Sequence, residues 1–373
     1  MLKFALQFIR FDKPKSIGVV LGIVISVFLV GQQTGIFLFL TGAMSALVDN
    51  TEADLWVVDN QTKNVNALGQ IDMRIGYQIE SLPGVDKAYP VVIAGGLAKF
   101  YGGRSAPIQV IGVQPPRFVG GPWRIRQGIM TDLLEEGAVS VEYFEKQNLN
   151  NARVGTEFEI NGRRVFAAIE TLGVRGFGAT FIYTTIARAR ELTETPRTMA
   201  SAFLVNVREG EDAALLRDRI NNQMFGIRAW TKEEFSKVTV STILSTSGIA
   251  FSVGTLIIFA AIAGFFIIGL TMYSAAVDRL RDYGTFKAIG ADNFYIRNLI
   301  LTQALFFSIV GYALAIALIE GFRIGIANSG VFFTYGPVVK ISFFLITLFI
   351  SLGGAFFAMR RIAKVEPASV FKS

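Results

Sequence analysis

The residue types that most often do chemistry are missing. Among 373 residues there is no histidine and no cysteine. Imidazole acid–base catalysis, thiolate nucleophiles and the His/Cys ligand sets of zinc fingers and haem are therefore excluded. No G-x-S-x-G turn occurs, and without histidine a Ser-His-Asp arrangement cannot form. No G-x-x-x-x-G-K-[ST] run occurs, so the chain does not hold ATP in a phosphate-binding loop. Carboxylates are plentiful, for example Glu135, Glu136, Glu142 and Glu145. Their helix-like spacing beside basic residues predicts an ordinary solvated face. No catalytic, cofactor-binding or metal-binding residue is expected in this chain. The most specific stretch is mechanical in character: Asp278-Arg-Leu-Arg-Asp-Tyr-Gly-Thr-Phe-Lys-Ala-Ile-Gly-Ala-Asp292 alternates small, aromatic and basic residues. One reading is a charged interfacial helix with glycine breaks at Gly284 and Gly290, which a partner could push as a rigid element. The other is a membrane-surface loop with snorkelling arginines.

The elements that must position this stretch are defined by missing charge. No charged residue occurs between Lys15 and Asp49, Lys237 and Asp278, Arg297 and Glu320, or Lys340 and Arg360. Each window is long enough for a membrane-spanning helix, which needs about 20 apolar residues. A hydrophobic fraction of 52% and a mean hydropathy of +0.47 agree with a membrane protein. The net charge of +7 first suggests nucleic acid, but its placement excludes that partner. Residues 49–237 are balanced, with 22 Lys/Arg against 23 Asp/Glu. The excess flanks the spans: Lys3, Arg10, Lys13 and Lys15 before the first, Arg279, Arg281, Lys287 and Arg297 between the second and third, and Arg360, Arg361, Lys364 and Lys372 after the fourth. By the positive-inside rule both termini and the 278–297 loop are cytoplasmic, and 49–237 lies outside. The first span is too long for the h-region of a cleaved signal peptide and lacks an A-x-A-like site, so it reads as a signal anchor.

The expected fold class is an α-helical membrane protein with four transmembrane helices, the first two extended as stalks, and one α+β extracytoplasmic domain between helices 1 and 2. The expected divisions are a cytoplasmic segment (1–15), helix 1 and stalk (16–48), the outer domain (49–237), stalk and helix 2 (238–277), a cytoplasmic coupling loop (278–297), helix 3 (298–319), an outer loop (320–340), helix 4 (341–359) and a cytoplasmic tail (360–373). The stalks follow from length. Ser16–Val48 as helix would reach about 50 Å and Val238–Val277 about 60 Å, against a bilayer core of ~30 Å. A continuous second stalk is the leading expectation, begun by a capping box at Thr231-Lys-Glu-Glu234; a break near Gly248 is the alternative. Glycines Gly18/Gly22 and Gly31/Gly35 form two small-xxx-small pairs. At 100° per residue they face opposite sides of helix 1, one expected against its own bundle and the other against a second copy. Commonness of glycine in membrane helices is the plainer account. With no ionisable residue inside the windows, ion-coupled transport is disfavoured, and energy for any transport must come from another subunit.

Within the outer domain, Leu55–Val58 and Ala202–Val207 read as strands, Tyr77–Ser81 as a helix closed by Pro83-Gly84, and Asp212–Asn221 as an amphipathic helix. Leu97–Tyr101 and Ile108–Val113 form a hairpin around Gly102-Gly103. Asn161-Gly162, between Thr156–Ile160 and Arg163–Ile169, is the strongest hairpin signal, because a type I′ turn needs positive φ at both central residues. The segment Gly330-Val-Phe-Phe-Thr-Tyr-Gly-Pro337 is expected to pack on the protein rather than dip into the outer leaflet.

This layout, together with Arg279-Leu-Arg-Asp-Tyr-Gly-Thr-Phe-Lys-Ala-Ile-Gly-Ala291, resembles the MacB/FtsX-type ABC transporter permeases. The family pattern is approximately R-x-x-E-I-G-x-x-[KR]-A-x-G-A; here Asp282 replaces the Glu and Tyr283 the Ile. Tyr283-Gly-Thr-x-Lys-Ala-x-Gly290, Gln303-Ala304-Leu305 and the tail Pro367-Ala-Ser-Val-Phe371 are more similar to the DevC-like branch, linked to glycolipid export. The resemblance implies a non-catalytic permease in the bacterial inner membrane that works as a homodimer with separate cytoplasmic ABC ATPase subunits. ATP and Mg would be bound by those partners, and Arg281, Asp282, Tyr283, Gly284, Lys287 and Gly290 would couple to them. It further implies mechanotransmission to the outer domain, export of an amphiphilic or lipid-like substrate, and a periplasmic adaptor (membrane fusion protein) with an outer-membrane duct. An FtsX-like mechanotransmitter regulating a periplasmic enzyme or sensor is the alternative.

Overall fold

A computed structural model describes residues 13–363 apart from Arg279. Residues 1–12 of the expected cytoplasmic segment and the tail motif Pro367–Phe371 lie outside the described residues. Helix α1 (Lys13–Asp49) leads into β1 (Leu55–Asp59), β2 (Ile71–Asp72), α2 (Arg74–Glu80), β3 (Val85–Lys99), β4 (Ser105–Val113) and β5 (Ile125–Gln127). Next come β6 (Ala138–Glu142), β7 (Glu157–Ile160), β8 (Arg163–Thr171), β9 (Thr180–Thr185), α3 (Ile186–Thr193), β10 (Met199–Ala200) and β11 (Ala202–Val207). Helix α4 (Ala213–Gln223) and β12 (Ile227–Thr231) precede α5 (Lys232–Ser247), α6 (Ile249–Asp278), α7 (Leu280–Ala288), α8 (Asn293–Ala327) and α9 (Pro337–Ala363). The chain forms two units, one from residues up to 39 and from 249 onward, the other from residues 40–248.

The first unit contains the apolar windows, carried by α1, α6, α8 and α9, each long and apolar enough to cross a membrane. Residues that end the windows meet in pairs. Lys15 at the start of α1 forms an ion pair with Asp278 at the end of α6. Glu320 near the end of α8 accepts from Lys340 Nζ of α9 at 2.9 Å and from Arg323 Nε at 2.6 Å. Charges that bound separate windows in sequence are therefore neighbours in space, as expected if the helices cross one slab. Glycines set the helix approach. A Cβ on Gly354 of α9 would lie 2.9 Å from the Gly269 nitrogen of α6, a backbone-to-backbone contact only glycine permits. Phe333 and Tyr335 of the segment after α8 are buried in the bundle core, and the Tyr335 hydroxyl donates to the Gly31 carbonyl at 2.9 Å. That segment packs on the protein.

The second unit is α+β. Its sheet runs β12-β1-β11-β3-β7-β8-β5, with β4 beside β3 and parallel to β9, and β6 parallel to β8. Strand β3 joins two lobes: Val85–Val91 pairs with β11, and Val92–Lys99 pairs with β4. Helices α2 and α4 cover the first lobe through Ile79, Leu216 and Ile220, while α3 closes the second through Ala189 and Leu192. The Asn161-Gly162 turn has φ of 49° and 79°, as a type I′ hairpin requires. Asn161 also ties the lobe together, accepting from Leu97 N at 2.9 Å and donating to the Leu192 carbonyl at 2.8 Å.

Two expectations are corrected here. The second stalk is not continuous: α5 begins at the capping box, where Thr231 and Glu234 bond reciprocally, but stops at Gly248 with φ 68° and ψ 0°. Only α1 runs unbroken, and at 37 residues it spans about 55 Å. Glu142 and Glu145 do not belong to a solvated face; they are 1% and 8% exposed. The Glu142 carboxylate accepts from the backbone of Gly173 at 2.7 Å and Val174 at 3.2 Å, and Glu145 binds Arg175 Nε at 2.6 Å. Those donors come from residues some thirty positions away, which local spacing cannot reveal.

Candidate functional site

The segment between α6 and α8 was expected to break at Gly284 and Gly290. It breaks once. Gly284 lies buried inside α7, whereas Gly290 adopts φ +103° just beyond it. Gly290 N donates to Lys287 O at 3.1 Å and Ala291 N to Phe286 O at 2.9 Å. These are the two bonds of a Schellman closure with Gly290 at the left-handed position. Two residues later the Asp292 carboxylate accepts from Tyr295 N at 2.7 Å and caps α8. Helix α7 is therefore terminated and handed to the next span without a slack linker, with Phe286 and Tyr295 rings 6.4 Å apart across the corner.

The six expected coupling residues divide by face. Arg281 and Asp282 are exposed, Lys287 is half-buried and Gly290 is exposed. Tyr283 is only 3% exposed and belongs to the bundle core with Ile296, Leu299 and Ile300. Tyr283 and Gly284 thus lie on the buried side of α7. Two outward apolar side chains flank the closure and were not singled out from the sequence: Ile289 at 76% and Phe294 at 57% exposure. No sequence signal marked them, since apolar residues exposed singly are ordinary.

The four paired α1 glycines, Gly18, Gly22, Gly31 and Gly35, all find partners within the chain. An added Cβ would meet Ile267 at 2.8 Å from Gly22, Ile319 from Gly31, and the Tyr335 hydroxyl at 2.5 Å from Gly35, while Gly18 sits 3.5 Å from Thr271. Both glycine faces are accordingly occupied by α6, α8 and the Phe333–Tyr335 segment. The outward stripe of α1 consists of Ile17, Leu21, Ile25 and Leu29.

A family profile described as the MacB-like periplasmic core domain matches residues 16–223, more than half of the chain. A second, the FtsX-like permease C-terminal region, matches residues 254–367. Among solved structures, the periplasmic region of MacB from Actinobacillus actinomycetemcomitans is 9% identical at a TM-score of 0.39, covering 53% of this chain and 95% of that one. The extracellular domain of the noncanonic ABC-type transporter YknZ from Gram-positive bacteria is 12% identical at 0.33, covering 48% of this chain and 99% of that one. No curated protein matches. The first profile spans α1 and most of the outer domain, and the second spans the last three membrane helices. The chain belongs to the MacB/FtsX-type family of ABC transporter permeases.

Proposed function

We propose that this multi-pass membrane protein is the non-catalytic permease of an ATP-driven exporter, acting as a homodimer in the bacterial inner membrane with both termini cytoplasmic. Partnership with an ABC ATPase follows from the family; ATP and Mg bind on that partner. The observation that carries the reading is the α7 corner: a helix end anchored inward by Tyr283, exposed at Arg281 and Asp282, and closed at Gly290 onto a capped span. A push on such an element moves α8 instead of dissipating in a loop. Continuous α1 serves as the strut that carries motion to the outer domain, and Gly248 supplies a joint in the second connection, where the left-handed residue relaxes helical rigidity. The DevC-like variant of the coupling motif favours export of an amphiphilic or lipid-like substrate through a periplasmic adaptor and an outer-membrane duct.

Because the chain lacks cysteine, a Tyr101→Cys variant can be spin-labelled singly at the fully exposed tip of the β3–β4 hairpin. In the complex with the cognate ATPase, the distance between labels on two copies should change on trapping with ATP. A Gly-Gly-Ser-Gly insertion after Gly42 in α1 should abolish that change while hydrolysis persists. The same insertion between Gly102 and Gly103 should be tolerated. A wild-type distance indifferent to nucleotide, or ATP hydrolysis by the purified chain alone, would overturn the proposal.

A further inference from the structure

At the boundary of the membrane unit where α8 begins and α9 approaches its end, a groove of about 350 Å³ opens between the two helices. Its walls are apolar, formed by Ile296 and Ile300 of α8 and by Phe356 and Met359 of α9. Two guanidiniums line the same groove: Arg297, which rests over the Phe294 ring at 5.0 Å, and Arg360. Among the described residues neither is ion-paired, in contrast to Lys15, Arg323 and Lys340, each of which has a carboxylate at its own boundary. Two unneutralised positive charges over an apolar slot at the edge of a bilayer match one ligand chemistry. The guanidiniums attract an anionic phosphate, and the apolar walls suit part of an acyl chain. Basic pockets between transmembrane helices on the cytoplasmic side bind anionic headgroups for this reason. Arginine suits the task because its planar fork bonds phosphate oxygens in pairs.

We propose that this groove is a binding site for an anionic phospholipid of the inner leaflet, held by Arg297 and Arg360. The headgroup would sit at the first turn of α8, directly after the Gly290 closure, and brace the corner that receives the push. Assignment to the inner leaflet rests on the topology proposed above. Selectivity for anionic lipid in symmetric vesicles does not, so the two readings fail separately.

The chain's three tryptophans, Trp56, Trp123 and Trp230, all lie in the outer domain unit, which leaves the spans free for a reporter. Phe356 is half-exposed, so Phe356→Trp places an indole in the groove without filling a packed site. The full chain is reconstituted in vesicles with brominated phosphatidylglycerol or brominated phosphatidylcholine. Quenching is read as the difference from the parent chain. Phosphatidylglycerol should be preferred at position 356 by at least about fivefold in relative binding constant, from roughly that factor for each basic residue at the surface. An Arg297→Gln/Arg360→Gln double variant should bring the ratio close to one. Ile309→Trp, on an outward face in the middle of α8, is the control for bulk lipid and should show no preference. Equal quenching by the two lipids at 356, a preference that survives the double substitution, or an equal preference at 309 would each overturn the proposal.

Discussion

Replacing Gly290 tests the coupling corner most directly. Its φ of +103° lies where residues with a Cβ are strained, and no atom stands within 4 Å of an added Cβ. Neighbouring side chains therefore contribute nothing, and the whole cost of Gly290→Ala is backbone conformation, about 1–2 kcal/mol. Such a cost lowers the ratio of closed to frayed helix end by roughly 5–30-fold. Gly290→Val should cost more, because a β-branched residue tolerates positive φ worst, and Gly290→Asn less than Ala. Gly42→Ala is the matched control: it sits in regular helix with open space around it, and Ala is the better helix former by up to ~1 kcal/mol. The assay is the nucleotide-dependent change in the Tyr101 label distance, measured alongside ATP hydrolysis and melting temperature. The expected order of coupling is Gly, Asn, Ala, Val, with the melting temperature of the spans hardly moved. Coupling in Gly290→Val equal to wild type at equal complex assembly would refute the rigid-corner argument outright.

Two further outcomes follow from the same geometry. Gly31→Ala and Gly35→Ala should each destabilise the purified chain by about 1–3 kcal/mol through overpacking, Gly35 the more because rigid Phe333 and Tyr335 rings face it; equal melting temperatures for these and Gly42→Ala would contradict the contacts. For topology, Tyr101→Cys should react with an impermeant thiol reagent in spheroplasts and Ile289→Cys only after permeabilisation. The reverse pattern would invert the assigned orientation.

Much of the candidate site was legible in one dimension. The motif from Asp278 to Asp292 announced a short charged element, and Gly290 was rightly taken as its break. Its division into an anchor and an outward face was not legible. Arg281, Asp282 and Tyr283 are consecutive and equally close to the membrane in sequence. Tyr283 is buried in the same apolar cluster as Ile296, Leu299 and Ile300 of the following helix. Ile289 and Phe294 became visible only once that inward face was known.

Local chemistry sufficed to specify the four spans, the outer domain between the first two, and the Asn161-Gly162 and Thr231–Glu234 motifs. Each of these obeys a local law. A lipid solvent penalises charge residue by residue, a type I′ turn asks for two residues tolerant of positive φ, and a capping box closes within one helical turn. Tertiary structure alone decided what the glycines are for. Gly22, Gly31 and Gly35 have the spacing of a helix face that meets a second copy, yet all three are covered by α6, α8 and the Phe333–Tyr335 segment of the same chain. It also decided that Glu142 and Glu145 are buried and that β3 serves two lobes. Those outcomes depend on partners thirty to three hundred residues away. A periodicity says that a face needs covering, and only the packed fold says by what.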